Sequence, residues 1–193
     1  SAPIAFGGFA ANGTVLGLPV AGSYAEGAGY DHGLIGIANP ATWTPLPQIT
    51  TWGGGSGSNT QSPLTIRDAR APLAGEIACK SGATSGWTCG QILAVNYLVD
   101  VCNGPPGNEC SSVYQVNGVA ARLCMLGGDS GGPAIIGTTA IGVNSASSAN
   151  GGCVSSDFGV FAPLYASGVS ATANPYASRS ADSLYPSGQW EVS

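Results

Sequence analysis

Cys124-Met125-Leu126-Gly127-Gly128-Asp129-Ser130-Gly131-Gly132-Pro133 crowds a single hydroxyl and a single carboxylate with small, flexible residues. Ser130 is the candidate nucleophile. A serine becomes reactive when a base takes its proton and nearby N–H groups receive the negative charge that its attack creates on a carbonyl oxygen. With no side chain at Gly128, the backbone can turn so that its N–H and that of Ser130 point into one small space, an oxyanion hole. A bare Gly-X-Ser-X-Gly pattern reads equally as a Gly-rich turn between strands.

Six ordered residues carry more than that pattern: Gly128-Asp129-Ser130-Gly131-Gly132-Pro133 resembles the nucleophile loop of the chymotrypsin-like serine proteases. The stretch Cys79-Lys80-Ser81-Gly82-Ala83-Thr84-Ser85-Gly86-Trp87-Thr88-Cys89-Gly90 resembles the short disulfide-closed loop of the bacterial streptogrisin and α-lytic protease branch. Thr14-Val15-Leu16-Gly17 and Tyr30-Asp31-His32-Gly33-Leu34-Ile35 resemble the strands of that branch that lead into and carry the triad aspartate. Ala140-Ile141-Gly142-Val143-Asn144-Ser145 through Cys153, and Phe158-Gly159-Val160-Phe161-Ala162-Pro163-Leu164, resemble its substrate-binding wall and final strand. The likeness runs from about Thr14 to Val169 and does not extend into the tail.

Composition agrees with an all-β chain. In 193 residues, 31 glycines and 13 prolines accompany only 8% charged but 44% apolar residues, which favours many short strands and tight turns over disorder. The net charge of −5 leaves no basic footprint, so nucleic acid and anionic membrane are excluded as partners. No run of 18 apolar residues offers a transmembrane span, and no signal-peptide pattern opens the chain, which reads as a processed form. Six cysteines stand beside a single histidine with no Cys-X-X-Cys, which favours disulfides over a metal site and places the protein in an oxidising, extracellular setting. Neither a metal nor a cofactor is expected. Six cysteines allow about fifteen pairings; the resemblance implies Cys79–Cys89 and Cys124–Cys153, leaving Cys102–Cys110 to close a Gly/Pro-rich loop. Asn12-Gly13-Thr14 is the single glycosylation sequon, used or unused.

Along the chain, 13–20 and 33–37 read as strands of a partial first barrel, and 40–63, with Gly53-Gly54-Gly55-Ser56-Gly57-Ser58-Asn59, as loop or interlobe connection. Residues 1–63 therefore form a first unit. Segments 91–99, 113–123, 133–136, 139–145 and 158–164, with the Cys79 hairpin, suffice for a second barrel within 64–173. A short helix is expected over 165–173, and 174–193 forms a Ser/Ala-rich tail. Trp87 and Tyr97 read as packing aromatics rather than ligand platforms. The fold implied by the resemblance is a chymotrypsin-like double β-barrel, its second barrel complete and its first incomplete in this chain.

A nucleophilic serine needs a base, and the base an orienting carboxylate. By local sequence Asp31 is a surface-turn aspartate; by the resemblance it is the triad aspartate. The family's histidine lies in a Thr-Ala-Gly-His-Cys motif upstream, which this chain lacks. Its one histidine, His32, adjoins Asp31, and neighbouring strand side chains point to opposite faces, so His32 cannot easily bridge Asp31 and Ser130. Three accounts follow: a precursor cut after its histidine with the companion N-terminal fragment retained, a truncated chain, or a pseudoprotease that binds without cleaving. The resemblance further implies an ion pair between Asp129 and Lys80, and a specificity pocket lined by Met125, Asn144, Ser145, Ala146 and Ser147. The implied activity is serine endopeptidase action on polypeptide substrates, with esterase action as a variant of the same nucleophile. Peptide mapping without reduction is expected to return Cys79–Cys89, Cys102–Cys110 and Cys124–Cys153, all within the chain; a free thiol, or a bridge from Cys79 to Cys102 or Cys124, overturns this pairing.

Overall fold

The computed structural model describes residues 8–9, 15–22, 33–38, 40–44, 46–53, 62–103, 112–149 and 151–164. These contain strands β1 (Gly8–Phe9), β2 (Val15–Gly22), β3 (Gly33–Ile37), β4 (Gln48–Ile49), β5 (Leu64–Thr65) and β6 (Asp68–Ala69). Then follow β7 (Ile77–Lys80), β8 (Thr88–Asn103), β9 (Ser112–Ala121), β10 (Pro133–Ile136), β11 (Thr139–Ser147) and β12 (Gly159–Pro163). Strands β1, β2 and β3 form one antiparallel sheet in that order. The larger sheet runs β10-β7-β8-β9-β12-β11-β6, and β10 also pairs with β11. That last pairing closes β7 to β12 into a ring of six strands, which removes the exposed edges an open sheet would present. The described residues are thus mostly β, and their closed six-stranded sheet agrees with the complete second barrel that the resemblance implies.

Strand alternation builds the two faces. Ala134 and Ile141 enter the inner core with Ala78, Ile92, Val119 and Phe161, whereas their neighbours Ile135 and Ala140 join Ile49 and Ile66 in a second cluster. The interior is therefore sealed from both sides along β12, where every residue of Gly159–Pro163 is buried. The Gly/Pro-rich connection expected as loop supplies the outer cover. Its β4 pairs with β5, and Ile49 and Thr51 are buried, because one isoleucine flanked by turn residues is enough to anchor a short strand on an apolar outer face.

β7 and β8 are in register with Cys79 opposite Cys89, and a disulfide joins them; a second joins Cys124 to Cys153. Strand β8 breaks its register with β9 between Ile92 and Tyr97, and Asn96 there takes a left-handed φ of 56°. Such a bulge adds twist, and asparagine tolerates that conformation better than most residues. Tyr97 then meets Phe158 edge to face at 5.7 Å between ring centres, and Trp87 packs against the outer cluster, so both serve packing. Asp31, His32, Cys110, the sequon at Asn12, the helix expected over 165–173 and the tail lie outside the described residues. Phe161 is wholly enclosed at the barrel centre. Phe161→Ala is expected to destabilise the chain by about 3–5 kcal/mol through lost transfer energy and a residual cavity, read as a lowered denaturant midpoint in equilibrium unfolding.

Candidate active site

The nucleophile loop lies between Cys124, tethered through its disulfide, and Pro133 at the start of β10. Gly128 and Gly131 take left-handed φ values of 96° and 81° on either side of Ser130, conformations that side chains resist. At Gly128 a Cβ would also come within 2.4 Å of Thr84 Oγ1, so glycine is required there twice over. Main-chain hydrogen bonds pin the turn: Asp129 N–H donates to Leu126 O at 3.0 Å, Gly131 N–H to Asn144 O at 2.9 Å, and Gly132 N–H to Asp129 O at 3.1 Å. Among the described residues the N–H groups of Gly128 and Ser130 have no such acceptor, which leaves both available to a ligand. Ser130 is exposed.

Beneath the serine, the Asp129 carboxylate is 1% exposed yet densely bonded. Oδ1 accepts N–H bonds from Thr84 at 2.8 Å and Ser85 at 3.0 Å; Oδ2 accepts Leu126 N–H at 2.9 Å, Lys80 Nζ at 2.9 Å and the Ser85 hydroxyl. Burial pushes its pKa up, but the Ser85 hydroxyl, the Leu126 and Ser85 N–H groups and Lys80 outweigh that and hold it at about 2. Lys80, with no exposed surface, spends its ammonium donors on Asp129, on Gly86 O at 2.9 Å and on the Ser85 hydroxyl. Burial lowers its pKa, partly offset by Asp129. A lysine lacks the bidentate fork of arginine, but here three acceptors surround one point charge, the arrangement an ammonium satisfies best.

The loop receiving this charge is the Cys79–Cys89 hairpin tip. Gly82 and Gly86 exchange N–H bonds at 3.1 and 3.0 Å, which curls Thr84 and Ser85 so that their N–H groups face Asp129. Gly82 itself lies so close that a Cβ would sit 2.3 Å from Asp129 Oδ1. Thr84 Oγ1 and Thr88 Oγ1 donate to Gly127 O and Cys124 O at 2.8 and 2.7 Å, lashing the two loops together. The resemblance pairs Asp129 with Lys80 but does not mark Ser85, Thr84 or Leu126 as further partners. The hydroxyl-rich stretch between glycines, Thr84-Ser85, was the available signal.

A cleft of about 360 Å³ opens over Ser130, bounded by Thr50, Trp52, Ala83, Gly128 and Pro133. Trp52 and Thr50 come from the connection read as loop, held in place by the bond from Trp52 N–H to Ser81 Oγ at 3.0 Å. Of the residues expected to line a specificity pocket, Met125 and Asn144 are each 2% exposed, Ser145 and Ala146 half-buried, and Ser147 exposed. Met125 packs in the inner core against Gly159, and Ser147 Oγ donates to Met125 O at 2.6 Å, joining the end of β11 to the start of the nucleophile loop. The Asn144 side chain is turned to the carbonyls of Ser81 and Asp129.

The depressed Asp129 pKa gives a signed expectation. An unfolded carboxyl titrates near 3.8 and the folded one at about 2, so the stabilisation is complete above about pH 4 and is lost as pH falls toward 2. Its size is about 2 kcal/mol. The thermal stability of the unmodified chain is expected to fall as pH drops through this window, and Asp129→Asn to flatten that part of the profile. Lys80→Met, which leaves the carboxylate buried without its cation, is expected to cost about 3–5 kcal/mol at pH 7.

Comparison with known proteins gives the same picture. The family model described as Trypsin matches residues 18–167. Streptogrisin-C of Streptomyces griseus is 34% identical over 128 residues, which are 66% of this chain and 24% of that protein. Serine protease 1 of Rarobacter faecitabidus is 33% identical over 109 residues, 56% of this chain and 18% of that protein. The chain thus spans about a quarter or less of the length of these relatives. Among solved structures, Thermobifida fusca protease A is 28% identical with a TM-score of 0.60, covering 84% of this chain and 70% of that one. Cellulomonas bogoriensis chymotrypsin is likewise 28% identical, with a TM-score of 0.58 over 77% of this chain and 68% of that one. With a family model spanning most of its length and a six-stranded barrel carrying the serine loop, the chain belongs to the trypsin family of chymotrypsin-fold serine proteases, with streptogrisin-like relatives at modest identity.

Proposed function

We propose that the protein is a secreted serine endopeptidase that cleaves peptide bonds through an acyl-enzyme on Ser130. The observation that carries this reading is the exposed Ser130 at the mouth of the cleft, beside two N–H groups that have no acceptor among the described residues and above a fully bonded Asp129. Ser130 Oγ would attack the scissile carbonyl carbon while an imidazole takes its proton, and the Gly128 and Ser130 N–H groups would hold the resulting oxyanion. Cleavage of the C–N bond releases the amine with that proton, and water then hydrolyses the ester. Asp31 is the orienting carboxylate of this reading.

The imidazole comes from a histidine-bearing N-terminal segment, retained as a companion fragment or belonging to a longer form. The only histidine of the sequence, His32, adjoins Asp31 and would face away from it on an extended strand. In another serine protease, loss of the histidine lowers turnover by about 10⁶-fold, so the chain by itself is nearly inert. The same single-histidine composition favours a second reading, a pseudoprotease that retains the cleft and binds polypeptide without cutting it. The two disulfides suit an oxidising, extracellular compartment for either reading.

The wall formed by Met125, Asn144, Ser145, Ala146 and Ser147 receives the side chain preceding the scissile bond. In this reading Met125 and Ser147, whose hydroxyl holds the Met125 carbonyl, narrow the site so that it takes a small apolar side chain, and none of these five wall residues is a carboxylate that could pair with Lys or Arg. Intact mass and N-terminal sequencing, followed by labelling with a serine-directed fluorophosphonate, test the proposal. Rapid labelling of Ser130 is expected only with the histidine-bearing segment present, and a peptide library should then show cleavage after Ala or Val over Phe or Lys, by roughly 10–200-fold per methylene-scale misfit. Fast labelling of a verified single chain, abolished by His32→Ala, overturns the assignment of the base. Absence of labelling in the completed protein establishes the pseudoprotease reading.

A further inference from the structure

Asn144 is 2% exposed, yet it carries an amide whose Oδ1 has no hydrogen-bond partner among the described residues. A buried acceptor left unpaired costs about 1–3 kcal/mol, and an apolar residue of similar volume would avoid that cost at this place in β11. The other end of the same amide is fully used: Nδ2 donates to Asp129 O at 2.9 Å and to Ser81 O at 3.1 Å. Both neighbours are carbonyl oxygens, acceptors only, so the NH₂ group must face them. The main chain of Asn144 reinforces the contact, its N–H donating to Gly132 O at 2.8 Å and its carbonyl accepting from Gly131 N–H at 2.9 Å. One residue therefore holds the loop on both sides of Ser130.

Asp129 O and the Ser130 N–H belong to a single planar peptide unit, and in a trans peptide they point in opposite directions. Fixing the oxygen fixes the N–H. We infer that Asn144 is a positioning residue for the oxyanion hole: its side-chain amide anchors and polarises the Asp129–Ser130 peptide so that Ser130 N–H is aimed at the cleft. Hydrogen bonds arranged in series strengthen one another by roughly 10–30% per bond, so the donor is also made stronger. The inference rests on Ser130 being the nucleophile, as proposed above, and adds a residue whose side chain works through the loop backbone.

The test compares two reagents on the purified protein with whatever histidine-bearing segment accompanies it: a fluorophosphonate, whose phosphoryl oxygen enters the hole, and its P=S analogue, whose sulfur accepts hydrogen bonds poorly. Asn144→Ala is expected to slow the oxygen reagent by roughly 10–100-fold, somewhat less than the ~10²–10³ seen when an oxyanion donor is removed outright, and to slow the sulfur reagent far less. Asn144→Ser, which keeps one donor, should recover part of the loss. An equal slowing of both reagents, or none in a folded variant, overturns the inference. Failure of the unmodified protein to label at all instead refutes the nucleophile reading, and NMR of the ¹⁵N-labelled chain then decides about Asn144. Slow exchange of its side-chain amide protons, and a Ser130 amide signal displaced in the Asn144 variants, support the inference; free exchange of that amide overturns it.

Discussion

One buried carboxylate organises the site. Asp129 is hidden under the residue it precedes, and an ionised carboxyl in that position would be untenable without compensation. Compensation comes from three separate stretches: Lys80 at the end of β7, the Thr84 and Ser85 N–H groups and Ser85 hydroxyl of the hairpin tip, and Leu126 within the loop itself. Because the charge is stable only when all of these converge, the hairpin and the nucleophile loop can adopt one mutual arrangement. The pair alone is weak evidence for stability, since desolvating two ions offsets much of their attraction. Its effect is geometric: it fixes where residue 130 begins.

That local constraint would be idle on a loose scaffold. The barrel supplies rigidity by closing on itself through the β10–β11 pairing, and these two strands flank the loop, one emerging from it and the other bonding its Gly131 and Gly132. The disulfides act at the same junctions. Cys79–Cys89 sits just below the hairpin tip, and Cys124–Cys153 holds the beginning of the nucleophile loop to the segment after β11. Each element that touches Ser130's loop is thus tied at a point within a few residues of the contact.

Much of the barrel was legible because its strands are short β-rich segments bounded by glycine, proline and other turn residues. Residues 33–37 and 133–136 were bounded as strands by that signal, and both appear with those limits. The connection 40–63 was not legible in the same way. Its composition says turn, and only tertiary contact lets Ile49 form β4 and brings Trp52 to the cleft wall. Asn144 shows the same limit at the site. An asparagine in a strand near a pocket reads as a wall residue, and nothing in the local pattern reveals that two carbonyls distant in sequence, of Ser81 and Asp129, claim its amide. Lys80 was legible only through the resemblance, since an isolated lysine after a cysteine is ordinarily solvated.

The supports of the nucleophile loop have a common origin that bears on the chemistry. Lys80, Thr84, Ser85, Thr88, Asn144 and Ser147, whose side chains hydrogen-bond residues 124–132 from outside the loop, all belong to the six-stranded barrel and its hairpin tip. The half of the proposed machinery that would receive negative charge is therefore assembled by the barrel's own contacts, before any base is considered. A preorganised set of N–H donors needs no rearrangement at the moment of attack, and it retains its geometry whether or not an imidazole is brought alongside. Proton transfer is a separable requirement. The endopeptidase and the binding-protein readings consequently share one folded core and differ in a single group, an imidazole placed within hydrogen-bond reach of Ser130 Oγ.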